Sequence, residues 1–250
     1  MNRPALWLAA IAVVLYVCTP ASAQTSHCAD CHFAQASGTA PDHLFNWDRS
    51  PHGQNGVGCE KCHGGNASVF ERSLAHRGVL TSRDRKSPVH AANLPATCGT
   101  CHAGPVAFFQ RSRHYELLKS GRGHGPTCST CHDAVSGQLL SPRALESRCS
   151  QCHGPNEVAP RADRARHARM MYESLNAVRK EFTLAGAIIR KIEDPQRKAD
   201  LIEEYEQARI PLTRAIDAGH TFVYDDLERS LNLAQDGVER LMARVVNRTQ

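Results

Sequence analysis

The sequence predicts a mainly α-helical chain in two unlike parts. Residues 24–160 read as a loop-rich segment of short helices with little protein core, and residues 161–250 as an antiparallel bundle of three helices. Three observations carry this division. Fourteen of the 17 glycines fall within 24–160. Ten of the 11 cysteines lie there too, in five pairs of identical spacing. The last 90 residues have no cysteine, and their apolar residues recur at helical intervals among dense mixed charge.

The start of the chain reads as a secretory signal. Asn2-Arg3 supply a short positive start, Ala5 to Val17 form an apolar run, and Ala21-Ser22-Ala23 has the small-x-small pattern that signal peptidase cuts. A run of about 13 residues is too short for the hydrocarbon core of a bilayer. Cleavage after Ala23 removes Cys18 and leaves an exported, periplasmic chain. No later apolar run is long enough to span a membrane.

The five cysteine pairs are Cys28/Cys31, Cys59/Cys62, Cys98/Cys101, Cys128/Cys131 and Cys149/Cys152, followed at once by His32, His63, His102, His132 and His153. Cys-x-x-Cys alone also suits a redox dithiol or half of a zinc site. Neither explains a histidine in the same place five times in five, and zinc pairs such motifs two by two. Cys-x-x-Cys-His is the attachment signature of c-type haem. The two thiols bond the vinyl groups of the macrocycle, and the following imidazole is the proximal iron ligand. Five covalent haems consume every cysteine of the mature chain and leave none for disulfides. Residues 24–160 offer about 27 residues per haem, too few for a separate protein core around each. The porphyrins themselves must then form the core, in close contact.

Nine histidines lie outside the motifs: His27, His43, His52, His76, His90, His114, His124, His167 and His220. Five irons need at most five further ligands, so complete bis-histidine ligation is within supply. His52 (Arg-Ser-Pro-His), His90 (Lys-Ser-Pro-Val-His) and His114 (Arg-Ser-Arg-His) share a basic residue and a serine shortly before the histidine, ahead of a haem motif. These three, with His124 in Gly-His-Gly-Pro-Thr-Cys128, are the expected distal ligands, and His220, after Gly219 at a helix start, is the fifth. His167 follows, then His43 and His76. His27 adjoins Cys28 and is poorly placed to reach over its own haem.

The formal charge of +5 excludes a nucleic-acid surface, being small and dispersed. Propionates would add about ten negative charges to the loaded protein. Arg49, Arg72, Arg83, Arg85, Lys86, Arg111, Arg113 and Arg122 are distributed to pair with them. In the C-terminal part, Leu175, Val178, Phe182, Ala185, Ile189 and Ile192 form one helical stripe. Leu201, Tyr205, Ala208, Leu212 and Ile216 form a second, which Pro211 should bend or break. Val223, Leu227, Leu231, Ala234, Val238, Leu241 and Val245 form a third at near-heptad spacing.

The segment Cys28-x-x-Cys31-His32 … Trp47-x-x-Ser50-Pro51-His52-Gly53 … Gly58-Cys59-Glu60-x-Cys62-His63-Gly64 resembles the haem-pair unit of exported multihaem cytochromes of the hydroxylamine oxidoreductase group. Gly123-His124-Gly125-Pro126-Thr127-Cys128 and the helices after His153 resemble further parts of that group. The resemblance implies a multihaem cytochrome c fold with haems stacked in parallel and perpendicular pairs, and histidines such as His52 ligating a haem remote in sequence. The catalytic tyrosine of the larger enzymes has no clear counterpart in Tyr172, Tyr205 or Tyr224, and no Cys-x-x-Cys-Lys occurs.

The sequence thus predicts a periplasmic pentahaem cytochrome that relays electrons. Its expected partners are redox proteins: a quinol-oxidising membrane complex, a terminal reductase or an outer-membrane conduit. The alternative is an oxidoreductase with one five-coordinate haem acting on a small nitrogen or sulfur compound, with Asp42-His43 handling protons above it. A third possibility is a homo-oligomeric filament, joined by a surplus histidine such as His27 or His76 or by the third helix.

Overall fold

The structure is a computed structural model, and it describes residues 26–35, 41–121, 125–133 and 135–246. The segment expected to be a signal, the expected cleavage site after Ala23, and His124 lie outside the described residues. Short helices dominate the first part: α1 (His27–Ala34), α2 (Pro41–Asp48), α3 (Pro51–Gln54), α4 (Glu60–His63), α5 (Arg72–Ala75), α6 (Leu94–Gly99), α7 (Ala103–Phe109), α8 (Arg113–Lys119), α9 (Cys128–Cys131) and α10 (Pro142–His153). Three long helices follow: α11 (Ala162–Arg190), α12 (Pro195–Gly219) and α13 (Tyr224–Val246). Among the described residues no helix is long and apolar enough to cross a membrane.

The long helices form because their apolar stripes bury one another. Val178, Phe182, Ala185 and Ile189 of α11 pack with Leu201 and Leu212 of α12 and with Leu231, Val238 and Leu241 of α13. The inward residues of α13 alternate by four and three, Leu227, Leu231, Ala234, Val238, Leu241 and Val245, and all six are buried. Val223 stands before the helix and is exposed. Arg197, at the start of α12, donates to the carbonyl oxygens of Arg244 and Val245 at the end of α13, so these two helices run in opposite directions. Asp194 stops the preceding loop by accepting from the Arg197 amide at 2.6 Å, with Pro195 in the first helical position, where its missing N–H is harmless.

Of the bend or break expected at Pro211, the break does not occur: α12 runs through the proline. The helix continues to Gly219 because Leu212, Ala215 and Ala218, just beyond the proline, are buried. Their packing offsets the one backbone bond that proline removes.

The first part is built differently. Of the buried hydrophobic residues, only Ala29, Leu44, Val106, Phe109 and Leu145 belong to it, and both core clusters lie wholly in the C-terminal helices. Phe33, Phe45, Phe70 and Leu74 are instead exposed. A segment of this size cannot hold itself together on five buried apolar side chains. Its polypeptide leaves large apolar surfaces for something other than protein to cover.

Truncating Phe182, which is 2 % exposed in the first cluster, removes a buried phenyl ring from the bundle. Phe182→Ala should lower stability by about 3–5 kcal/mol, read as an earlier far-ultraviolet circular-dichroism melt.

Candidate functional site

The serines of the three basic-Ser repeats explain the geometry of the loops. Ser50, Ser87 and Ser112 are the only buried polar residues among the described ones. Each hydroxyl turns back onto its own chain. Ser50 Oγ donates to Trp47 O at 2.6 Å and accepts from Gly53 N at 3.1 Å. Ser112 Oγ donates to Phe109 O at 2.6 Å and accepts from Tyr115 N at 3.1 Å. Ser87 Oγ donates to Leu80 O and accepts from Val89 N. The first two therefore cap α3 and α8, and the histidine two positions after each serine sits in the first helical turn. A Cβ at Gly53 would lie 2.3 Å from Trp47 O, so only glycine closes that turn.

His52 and His114, at serine plus two, each face a motif histidine: His52 faces His102 and His114 faces His153. His90 stands at serine plus three, because Val89 is inserted, and the structure places it elsewhere. Its Nδ1 accepts from Ala92 N at 3.2 Å and caps a short 3-10 turn. One extra residue rotates the side chain out of register.

All five motif histidines face one other histidine. The remaining pairs are His32–His76, His63–His43 and His132–His220. His43 and His76 rank low on the sequence, and no local signature marks them. His220 does not open a helix as expected but closes α12, where its Nδ1 donates to Ile216 O at 2.8 Å. Of the histidines outside the pairs, His27 meets Asp30 and the Phe70 ring, and His167 lies on Tyr224.

The ring-centre separations of the five pairs are 5.9, 6.0, 6.1, 6.0 and 6.2 Å, whereas their interplanar angles run from 2° to 65°. A ring-on-ring contact couples distance to angle. Other ring contacts in this chain range from 4.1 to 6.4 Å. A common separation with free rotation is what two imidazoles on opposite sides of one metal ion require. With bonds of about 2 Å each, the ring centres stand about 6 Å apart.

Tautomers agree. Nδ1 of His76, His52, His220, His132 and His153 lies within 3.4 Å of the carbonyl oxygens of Arg72, Val135, Ile216, Gly137 and Ala159. A carbonyl only accepts, so Nδ1 carries the proton and Nε2 is left with its lone pair. Burial, reinforced by the facing histidine, holds the His63 imidazole below its usual range and His114 down to about 4. Both are neutral, as metal ligation requires.

The cysteines follow one another through space in sequence order. Ser26 Oγ donates to Glu60 Oε2 at 3.0 Å, and His27 N to Ala67 O at 3.2 Å, joining the first motif to the second. Burial pushes Cys59 up to about 11, with Cys28 adding to it. Cys62 rises through burial and then through Cys98 and Cys101. Cys98 and Cys128 hydrogen-bond each other, which holds Cys128 down to about 7 and raises Cys98. Burial and Cys149 push Cys131 up to about 11. Cys149 is itself raised by burial, with a smaller contribution from Cys152.

The ten motif cysteines are not equally enclosed. Cys28, Cys31, Cys59, Cys98, Cys128, Cys131 and Cys149 are half-buried, but Cys62, Cys101 and Cys152 are exposed. The three exposed thiols are each the second cysteine of their motif. Cys62 and Cys152 lie in the last turn of the short helices α4 and α10, and Cys101 lies just past the end of α6. Few apolar side chains are available in this part of the chain to cover them. Any core around Cys152 must therefore come from something other than protein side chains. All ten motif cysteines are free of disulfides. Among the described residues no three His, Cys, Asp or Glu side chains converge as a zinc site demands. The residues therefore fit a covalently attached macrocycle that needs only two protein ligands at its iron.

Residues 14–64, which include the first two motifs and the Trp47–Gly53 turn, match the family described as cytochrome c554 and c-prime. Polyheme cytochromes of Geobacter sulfurreducens are similar over longer stretches. The C-type polyheme cytochrome OmcB is 33 % identical over 127 residues, 46 % of this chain and 14 % of that protein, and OmcC is 29 % identical over 131 residues, 50 % of this chain and 14 % of that protein. These matches support a multihaem c-type cytochrome. This chain thus spans only about a seventh of the length of those relatives. No solved structure matches it.

Gly137 lies between two of the paired histidines, His52 and His132. At φ +67° a side chain is strained, and a Cβ there would stand 2.8 Å from His52 Cε1, while the Gly137 carbonyl holds His132. Gly137→Ala should cost at least the ~1–2 kcal/mol of a left-handed alanine. If His52 and His132 are iron ligands, it should also disturb the electron paramagnetic resonance signals of two haems, with the other signals intact.

Proposed function

We propose that the chain is an exported pentahaem electron relay in which two histidines close each iron. The observation that carries this is the set of five histidine pairs at 5.9–6.2 Å, one for each Cys-x-x-Cys-His motif. The proximal ligands are His32, His63, His102, His132 and His153. Their distal partners are His76, His43, His52, His220 and His114, in the same order. His90 is not a ligand in this assignment, and no sixth partner is needed for His124.

Bound haem supplies a reversible one-electron couple, and histidine on both faces leaves no position for substrate. The chain's own residues do the rest. The paired cysteines, Cys28/Cys31 through Cys149/Cys152, fix each group in place, and the backbone carbonyls orient the imidazoles. The neighbouring motifs set a path in sequence order, from motif one to motif five. His43, occupied against His63, is not available as a proton-handling residue over an open haem, which disfavours the enzymatic alternative. Residues 24–160 form the haem unit, and 161–250 form a helical buttress that delivers His220. Export follows from the signal pattern of residues 1–23, and haem attachment of this kind belongs outside the cytoplasm. Redox proteins such as a quinol-oxidising membrane complex, a terminal reductase or an outer-membrane conduit are the fitting partners.

Purified protein should carry five haems by mass spectrometry and show only low-spin ferric signals, unchanged by nitrite, hydroxylamine or carbon monoxide. A high-spin fifth would favour the enzymatic alternative. His76→Met and His43→Met should each convert one haem's spectrum and shift its potential, with all five still attached, whereas His90→Ala should leave every haem unchanged. The reverse result would return the ligand role to His90.

A further inference from the structure

Phe222 is the one non-glycine residue with positive φ among the described residues, at +59°. A bulky aromatic in this conformation is strained and persists only where its surroundings impose it. The turn between α12 and α13 does so. Thr221 Oγ donates to Ala218 O at 2.8 Å and accepts from Val223 N at 3.2 Å, and Phe222 N reaches Gly219 O. The strained conformation drives the Phe222 ring edge-on against His114, with ring centres 4.3 Å apart at 78°. Phe109 backs it from the far side at 6.4 Å. The same turn carries His220, two residues earlier, which faces the fourth motif.

His114 differs from the facing histidines that donate to a carbonyl. Its Nδ1 is fully buried and has no hydrogen-bond partner, whereas His76, His52 and His220 each donate theirs to a backbone oxygen. Donation from Nδ1 makes an imidazole a stronger donor to its metal and stabilises the oxidised ion. Without it the ferric state loses that support, and an apolar surrounding disfavours its extra charge further.

Given the ligation above, we propose that Phe222 is a positioning residue. By wedging His114 in an apolar slot without a hydrogen bond, it raises the reduction potential of the haem on the fifth motif above the value that haem would have if His114, like His76, His52 and His220, donated to an oxygen.

The test uses the loaded full-length protein and redox titration followed by electron paramagnetic resonance. His114→Met identifies which signal belongs to the fifth motif. Phe222→Asn keeps a residue that tolerates the left-handed turn and supplies a carbonyl acceptor for Nδ1. It should lower the potential of that haem alone and shift its signal. Phe222→Gly relieves the strain and admits water to Nδ1, so it should move the same potential the same way, and it answers the question if the asparagine variant does not fold. Unchanged or raised potentials in both variants, or a shift in a different haem, overturn the role of Phe222 while leaving the ligation intact. If His114→Met alters no haem, the ligation itself is wrong, and this inference falls with it.

Discussion

In the proposed ligation two imidazoles meet one ion from opposite sides and accept almost no error in distance, a constraint that would organise the described residues from 26 to 160. Each motif histidine comes with its cysteines from one short helix, so its partner has to be brought from elsewhere. The chain meets the need with rigid local devices. A buried serine hydroxyl closes the turn before His52 and before His114. A helix end presents His76, and another presents His220. None of these devices is a hydrophobic core, which is why the region lacks one.

The exchange of partners also ties the region together. The segment between the first two motifs supplies His43 to the second and His52 to the third, and the segment after the second returns His76 to the first. His114, from before the fourth motif, faces the fifth, and the C-terminal helices reach back through His220 to the fourth. No motif is completed by its own neighbourhood alone, so local unfolding at one site withdraws a ligand from another.

What is legible in the sequence is what local chemistry encodes. The five attachment motifs declare themselves by spacing, although spacing does not show that Cys62, Cys101 and Cys152 stand exposed, since that depends on which segments fold over them. The three long helices declare themselves by apolar periodicity, because each stripe is continuous and each is buried. His52 and His114 are legible through their serines. His90 misleads because its repeat reads as a serine near a histidine, whereas the capped turn counts residues and Val89 changes the count. His43 and His76 carry no local mark, since facing is a tertiary relation between segments 20 and 44 residues apart. Pro211 does not break α12 because the helix is held by its neighbours on both sides of the proline.

The unequal division of apolar side chains has a consequence for how the molecule comes into being. The three C-terminal helices own a complete core and satisfy the conditions for folding as bare polypeptide. The preceding segment does not, and in the proposed pentahaem protein it would stay open until ten thioether bonds have been made. An attachment machinery that must thread a thiol pair to each macrocycle needs an open chain to work on. The same lack of a core that makes the first part helpless alone therefore keeps all five motifs accessible during biogenesis. The finished bundle meanwhile waits with His220 ready at the end of its second helix.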